Sequence, residues 1–211
     1  MEKELQCIFP PILDMEHFFQ NIGEPWFSSQ SVYSDAVDTF PDGAHFVEIG
    51  SWRGRSAAYM AVEIINSRKS IRFDCVDTWE GSAEHRDETS PFFVREILED
   101  PHYLYNEFVK NTAPAAHMIR AIRQTSLEAS RLYLDRSLDF VFIDAAHDYE
   151  SVRDDIRTWL PKVKRGGVIA GDDYSEHWKG VQRAVNEFIH SNIFESDNFG
   201  LRESTWIYCN P

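Results

Sequence analysis

Residues 46–56 read "FVEIGSWRGRS". An apolar run stops at Gly50, a second glycine follows at Gly54, and Ala57, Ala58, Ala61, Val62, Ile64 and Ile65 then recur at helical spacing. Strand, glycine turn and helix in that order predict the first βα unit of an open sheet, whose ligands gather where the strand ends and the helix begins. The turn also excludes ligands. A dinucleotide loop of the form G-x-G-x-x-G needs its second glycine so that backbone can touch a pyrophosphate, and Trp52 stands there. A P-loop needs a lysine after the last glycine, and Arg55 stands there.

Working outward, "AHFVEIG", "SIRFDCVD", "AHMIRAI", "LDFVFID" and "GGVIAGDD" are apolar runs that end in turn or acidic residues, as buried parallel strands do. Helical faces lie between them: Val152, Ile156, Trp159 and Leu160 before Pro161, and Val181, Ala184, Val185, Phe188 and Ile189. The alternation predicts one α/β domain over residues 1–211, a doubly wound, mostly parallel, Rossmann-like sheet. The tail "FGLRESTWIYCNP" predicts a C-terminal antiparallel edge hairpin turning at Gly200. Residues 1–43, with Phe18, Phe19, Trp26 and Phe27, predict a helical segment packed on the core, with a substrate lid or a homo-oligomer contact as alternatives. Residues 80–114 lack clear periodicity and are expected to be an irregular insertion or lid bearing His85.

Asp77 closes the second strand, where an acid can accept hydrogen bonds from both hydroxyls of a ribose. A phosphate-free glycine loop with a strand-end acid points to an adenosyl ligand. Asp144 closes the fourth strand and Asp172-Asp173 the fifth, on the same sheet edge. Carboxylates that converge repel one another, so a hard divalent cation is expected there, Mg²⁺ before Mn²⁺ or Ca²⁺. The alternative is that these acids cap turns. His147, three residues after Asp144, is a candidate general base near neutral pH, or else a ligand-orienting hydrogen-bond partner. Tyr174, His177 and Trp178 are candidates to line an acceptor pocket.

Glu48-Ile49-Gly50-Ser51-Trp52-Arg53-Gly54, followed by Asp77, resembles the cofactor signature of class I S-adenosylmethionine-dependent methyltransferases, over roughly residues 44 to 190. The resemblance implies that Glu48, Gly50, Ser51 and Trp52 line the methionine and ribose part of the cofactor, and that Ser56 caps the next helix beside it. It also implies that Asp77, with Thr78 and Trp79, meets the ribose, and that Ser126 in "RQTSLEA" contacts the adenine. Gln124 stands where many relatives carry an acid. Asp144, Asp172 and Asp173 match by position the magnesium ligands of metal-dependent O-methyltransferases of the catechol and macrocin types, with Asp144 also beside the cofactor. "DDY" before "GVQRAVNEF" resembles the sugar and small-molecule subgroup that includes cephalosporin-hydroxylase-like proteins. The catechol enzyme carries a lysine at the offset of His147.

The implied reaction is S-adenosylmethionine-dependent O-methylation of a small hydroxylated acceptor, a sugar or natural-product intermediate, with Mg²⁺ and His147 as base. Rivals are a metal-independent methyltransferase, a non-catalytic cofactor- or partner-binding protein and, disfavoured by Trp52, a nicotinamide oxidoreductase. Composition agrees with a small acceptor: 21 Lys+Arg against 35 Asp+Glu leave a net charge of −14, which opposes a nucleic-acid partner. Cys7, Cys75 and Cys209 are too few and scattered for a disulfide framework, so a reducing, cytoplasmic setting is expected. The charged, Pro-Pro-broken N-terminus predicts neither a signal core nor a membrane span.

Overall fold

The computed structural model describes residues 13–191 and 193–211; Cys7 and the Pro10-Pro11 break lie outside them. Seven strands form one sheet in the order β3-β2-β1-β4-β5-β7-β6. They are β1 (His45–Ile49), β2 (Arg72–Asp77), β3 (Ile119–Arg123), β4 (Leu138–Ile143), β5 (Val163–Gly171), β6 (Phe199–Arg202) and β7 (Thr205–Cys209). The first five are parallel, while β7 runs antiparallel to both β5 and β6. The doubly wound, mostly parallel fold with an antiparallel edge hairpin is therefore what the chain adopts.

Residue alternation within the strands builds a core on each face. Phe46, Phe140 and Phe142 pack on one side with α1 (Gln30–Thr39) and α2 (Arg55–Ser67). Val47, Ile49, Val141 and Ile143 pack on the other. There they meet α6 (Ser126–Ala129), α7 (Tyr149–Trp159) and α8 (Lys179–His190) through Ala129, Ile156, Trp159, Val185 and Phe188. Glu48 shares the face of Phe46 and is buried near the carboxyl end of β1, a costly place for a carboxylate. The chain leaves β1 toward β2 and leaves β4 toward β5 on the opposite side, so a crevice opens between the carboxyl ends of β1 and β4.

Three local expectations change. Gly200 lies inside β6 paired with Ile207, and the hairpin turns at Glu203-Ser204, where Glu203 takes the left-handed backbone at φ 54°. The fifth strand starts at Val163, ahead of the glycine pair, because a register shift lets Val163 pair with Leu138 before Val168 pairs with Phe140. The segment 80–114 is mostly helical, with α3 (Ala83–Arg86), α4 (Glu96–Glu99) and α5 (Tyr103–Thr112). Its turns are too short to show periodicity, and α5 alone carries a buried face, Leu104 and Phe108. In the N-terminal segment, Phe19 and Phe27 are buried and Trp26 is 48% exposed.

Candidate active site

The glycine turn is locked to the fourth strand by a contact that only glycine permits. Gly50 has φ +85°, and a Cβ there would lie 1.9 Å from the Asp144 carbonyl oxygen. Asp144 N–H donates to the Ile49 carbonyl at 2.8 Å, so the ends of β1 and β4 close as a unit. Trp52 takes φ 45°, a left-handed conformation unusual for a bulky side chain. Asp77 holds the turn: Oδ2 accepts from the N–H groups of Ser51 at 2.8 Å and Trp52 at 2.9 Å, and Oδ1 from Trp79 N–H at 2.7 Å. Burial raises the Asp77 carboxyl and these N–H groups oppose it. Asp77 therefore shapes the cofactor loop, and any ribose contact uses what capacity Oδ1 has left.

Within that turn two buried polar atoms lack a partner among the described residues, Glu48 Oε1 and Ser51 Oγ. Glu48 Oε2 accepts from Tyr33 Oη at 2.7 Å. Burial pushes the Glu48 carboxyl up to about 7, against the hydroxyls of Ser51, Tyr33 and Ser56. The two serines act through proximity rather than through completed hydrogen bonds. A buried acceptor and a hydroxyl left open at a helix start fit an ammonium donor, such as the amino group of S-adenosylmethionine. Tyr33, from α1, was not singled out by the sequence; its spacing reads simply as core.

The other residues expected near the cofactor take the following places. Trp79 is buried in the core against Tyr105 and Phe108, and its Nε1 donates to the Trp52 carbonyl at 2.9 Å, so it supports the loop from beneath. Ser56 is buried beside Glu48, and the cap of α2 is Gly54. Ser126 Oγ donates to Asp155 and accepts from Trp159 Nε1 at 2.8 Å, which commits its hydroxyl to α7 and leaves no free hydroxyl for adenine. Thr78 is half-buried at the strand end, its Oγ1 accepting from Glu80 N–H at 3.3 Å.

The acid cluster forms, with one exchange of members. Asp144, His147 and Asp173 each present a ligand atom within 4.8 Å of the others. Asp172 instead accepts from the hydroxyls of Ser29 at 3.0 Å, Ser204 at 2.5 Å and Ser28 at 3.4 Å, tying the N-terminal segment to the hairpin. Its Oδ1 also accepts from Asp173 N–H at 2.8 Å, and Asp173 takes φ 63°. The pair lies just past the end of β5, and the left-handed turn at Asp173 sends its side chain to the cluster while that of Asp172 stays with the serines. Burial, then the charges of Asp172 and Asp173, push the Asp144 carboxyl well above the ordinary range.

His147 is gripped on both edges. Nε2 lies 2.8 Å from Asp173 Oδ2, Nδ1 lies 2.9 Å from Glu84 Oε1, and the Trp178 ring stacks at 3.9 Å. Burial opposes the imidazolium, but Asp173, Asp144 and Glu84 outweigh it and push His147 up to about 9. With no cation beside it, this favours the charged ring near neutral pH, so action as a general base requires that proton to be displaced first. Gly180 makes the approach possible, since a Cβ there would lie 2.2 Å from the His147 carbonyl oxygen. Of the acceptor candidates, Trp178 is at the cluster. His177 is exposed at its edge, 6.1 Å from Phe92, and Tyr174 turns to α8 through Asn186 at 2.9 Å. Across the mouth, Trp26 and Trp52 approach at 6.3 Å, and Trp52 meets His85 at 4.2 Å.

No described helix is long and apolar enough to cross a membrane. Among curated proteins, none matches the chain. Among solved structures, the O-methyltransferase NovP superposes with a TM-score of 0.61 at 18% identity, over 86% of this chain and 78% of that one. CalS11, a TDP-rhamnose 3'-O-methyltransferase of calicheamicin biosynthesis, gives 0.56 at 14% identity over 86% and 76%. An O-methyltransferase from Bacillus cereus in complex with SAH gives 0.52 at 16% identity over 86% and 78%. At these identities the likeness is one of fold. The profile of a methyltransferase domain family matches residues 47–174, more than half of the chain and the whole span from the glycine turn to the acid pair. The chain belongs to that family, among the class I S-adenosylmethionine-dependent methyltransferases.

Proposed function

We propose that the protein transfers the methyl group of S-adenosylmethionine to a hydroxyl oxygen of a small acceptor, a sugar or natural-product intermediate, beside a divalent cation held by Asp144, His147 and Asp173. The observation that carries the reading is the convergence of these three side chains on one another, with the backbone of Asp144 against Gly50. Two carboxylates with one imidazole also adjust the expected metal: the nitrogen donor favours Mn²⁺ over the all-oxygen preference for Mg²⁺.

When bound, the cation polarises an acceptor hydroxyl so that its proton leaves more readily. The chain's own residues supply alignment. Glu48 and Ser51 would meet the amino group of the cofactor, Asp77 holds the glycine turn in shape, and Trp178, stacked on His147, walls the cluster on one side. The acceptor oxygen forms its bond to the methyl carbon as the carbon–sulfur bond breaks, the sulfide leaves uncharged, and the hydroxyl proton passes to water.

A second reading has its own observation. Protonated His147 already offsets Asp173 and Glu84, so the cluster stands without a metal, and His147 then acts as base only in its deprotonated form. Calorimetric titration with S-adenosylmethionine and S-adenosylhomocysteine, each with Mn²⁺, with Mg²⁺ and with a chelator, separates these. Cofactor binding together with a metal-dependent heat supports the first reading. Binding indifferent to metal, with chelator-resistant turnover that climbs as pH rises toward about 9, selects the second. No binding of either ligand overturns both.

A further inference from the structure

The helical insertion reaches His147 through Glu84. α3 is one turn long, and its start is set by Ser82, whose N–H donates to His85 Nδ1 at 3.1 Å. That turn brings Glu84 Oε1 to 2.9 Å from His147 Nδ1, across 63 residues of sequence. Asp173 Oδ2 holds the opposite nitrogen at 2.8 Å, and Trp178 covers one face of the ring at 3.9 Å. Held at two edges and one face, the imidazole has one orientation.

Both partners are carboxylates, which only accept hydrogen bonds, so with no cation each nitrogen presents its proton to one of them. A cation among Asp144 and Asp173 can replace only the Nε2 proton, because Nε2 is the nitrogen on Asp173, and Nδ1 then stays protonated against Glu84. We propose that Glu84 is a positioning residue for His147: it keeps the Nδ1 proton and so aims the Nε2 lone pair into the Asp144–Asp173 cluster. The insertion thereby completes the site chemically as well as covering it. The role rests on the proposed metal reading for the cation it serves; the orientation of the ring stands apart from that reading.

Partners that hold the far nitrogen of a metal-ligating histidine typically change metal affinity about 10–100-fold when removed. The test compares the full chain with Glu84→Ala and Glu84→Gln by three measurements: Mn²⁺ titration in the presence of S-adenosylhomocysteine, S-adenosylhomocysteine titration alone, and nitrogen-15 NMR of labelled histidine without metal. Glu84→Ala is expected to weaken Mn²⁺ binding by about 10–100-fold, leave S-adenosylhomocysteine affinity unchanged and abolish the resonance of the hydrogen-bonded Nδ1 proton of His147. Glu84→Gln, whose amide oxygen accepts the same proton, is expected to restore that resonance and most of the metal affinity. Wild-type Mn²⁺ affinity in Glu84→Ala, or equal damage in both variants, overturns the proposal. Where the wild-type chain binds S-adenosylhomocysteine but no Mn²⁺, the metal reading falls and the resonance alone decides: its survival in Glu84→Ala overturns the positioning role and its loss upholds it. Failure to bind S-adenosylhomocysteine is a failure of the cofactor reading, and the resonance again decides the role of Glu84.

Discussion

Glu48 shows how a single side chain trades stability for a binding function. Near the end of β1, with one oxygen on Tyr33 and the other without a partner among the described residues, it is pushed up to about 7 by burial. A carboxyl raised in the folded state binds more protons folded than unfolded between its ordinary value and the raised one, so its contribution to stability declines as pH climbs through that window. Glu48→Gln keeps the shape and removes the charge. The variant is expected to gain about 1–2 kcal/mol of stability at pH 8 while losing at least about tenfold in S-adenosylmethionine affinity, the first from thermal unfolding and the second from calorimetry. A stability loss with unchanged affinity would mean that Glu48 serves packing alone. The residue types of this site were legible in the sequence, since a glycine turn with Glu48, Asp77 and Asp144 at strand ends restricts the chemistry. Their division of labour was not, because Asp77, Trp79 and Ser126 are claimed by partners distant in the chain.

At the scale of elements, the end of β5 separates two acids that sequence treats as a pair. Asp172 is buried and joins Ser28 and Ser29 of the N-terminal segment to Ser204 of the hairpin turn, while Asp173 enters the cluster. Removing Asp172 takes the acceptor from Ser28 and Ser204 and leaves Ser29 to Thr205, whereas removing Asp173 leaves His147 still held by Glu84. Asp172→Ala is therefore expected to lower stability by about 2–4 kcal/mol, with the metal-dependent heat still measurable. Asp173→Ala is expected to abolish that heat with a stability change of about 1 kcal/mol or less. Reversed results would return Asp172 to the ligand set. The strands and long helices were readable because apolar periodicity repeats over each of them. The one-turn helices of residues 80–114 escaped, since four residues contain no period to detect.

At the scale of the whole molecule, proton affinity ties stability to pH. Glu48 and Asp155 are each pushed up to about 7 by burial, and His147 is held near 9 by its carboxylates. The carboxyls withdraw stability as pH rises toward 7. The histidine contribution, complete below its ordinary value of 6.5, is lost as pH rises through about 9. A net charge of −14 adds self-repulsion in the same direction. The melting temperature is accordingly expected to fall by about 5–10 °C between about pH 5 and pH 9, measured at constant ionic strength. A flat or rising profile would show that these groups are solvated in the folded protein.

The sequence by itself determined the α/β class, the strand-to-helix alternation, the place of the glycine turn and the acids available at the strand ends. Those features follow from periodicity and residue type, which are local. Only the tertiary structure decided which of those groups meet. His147 replaced Asp172 in the cluster, Tyr33 came to Glu48 from α1, and Glu84 arrived from a segment without a readable pattern. Such choices depend on how packed elements share a limited interior, where each buried polar atom must find a partner wherever the fold supplies one.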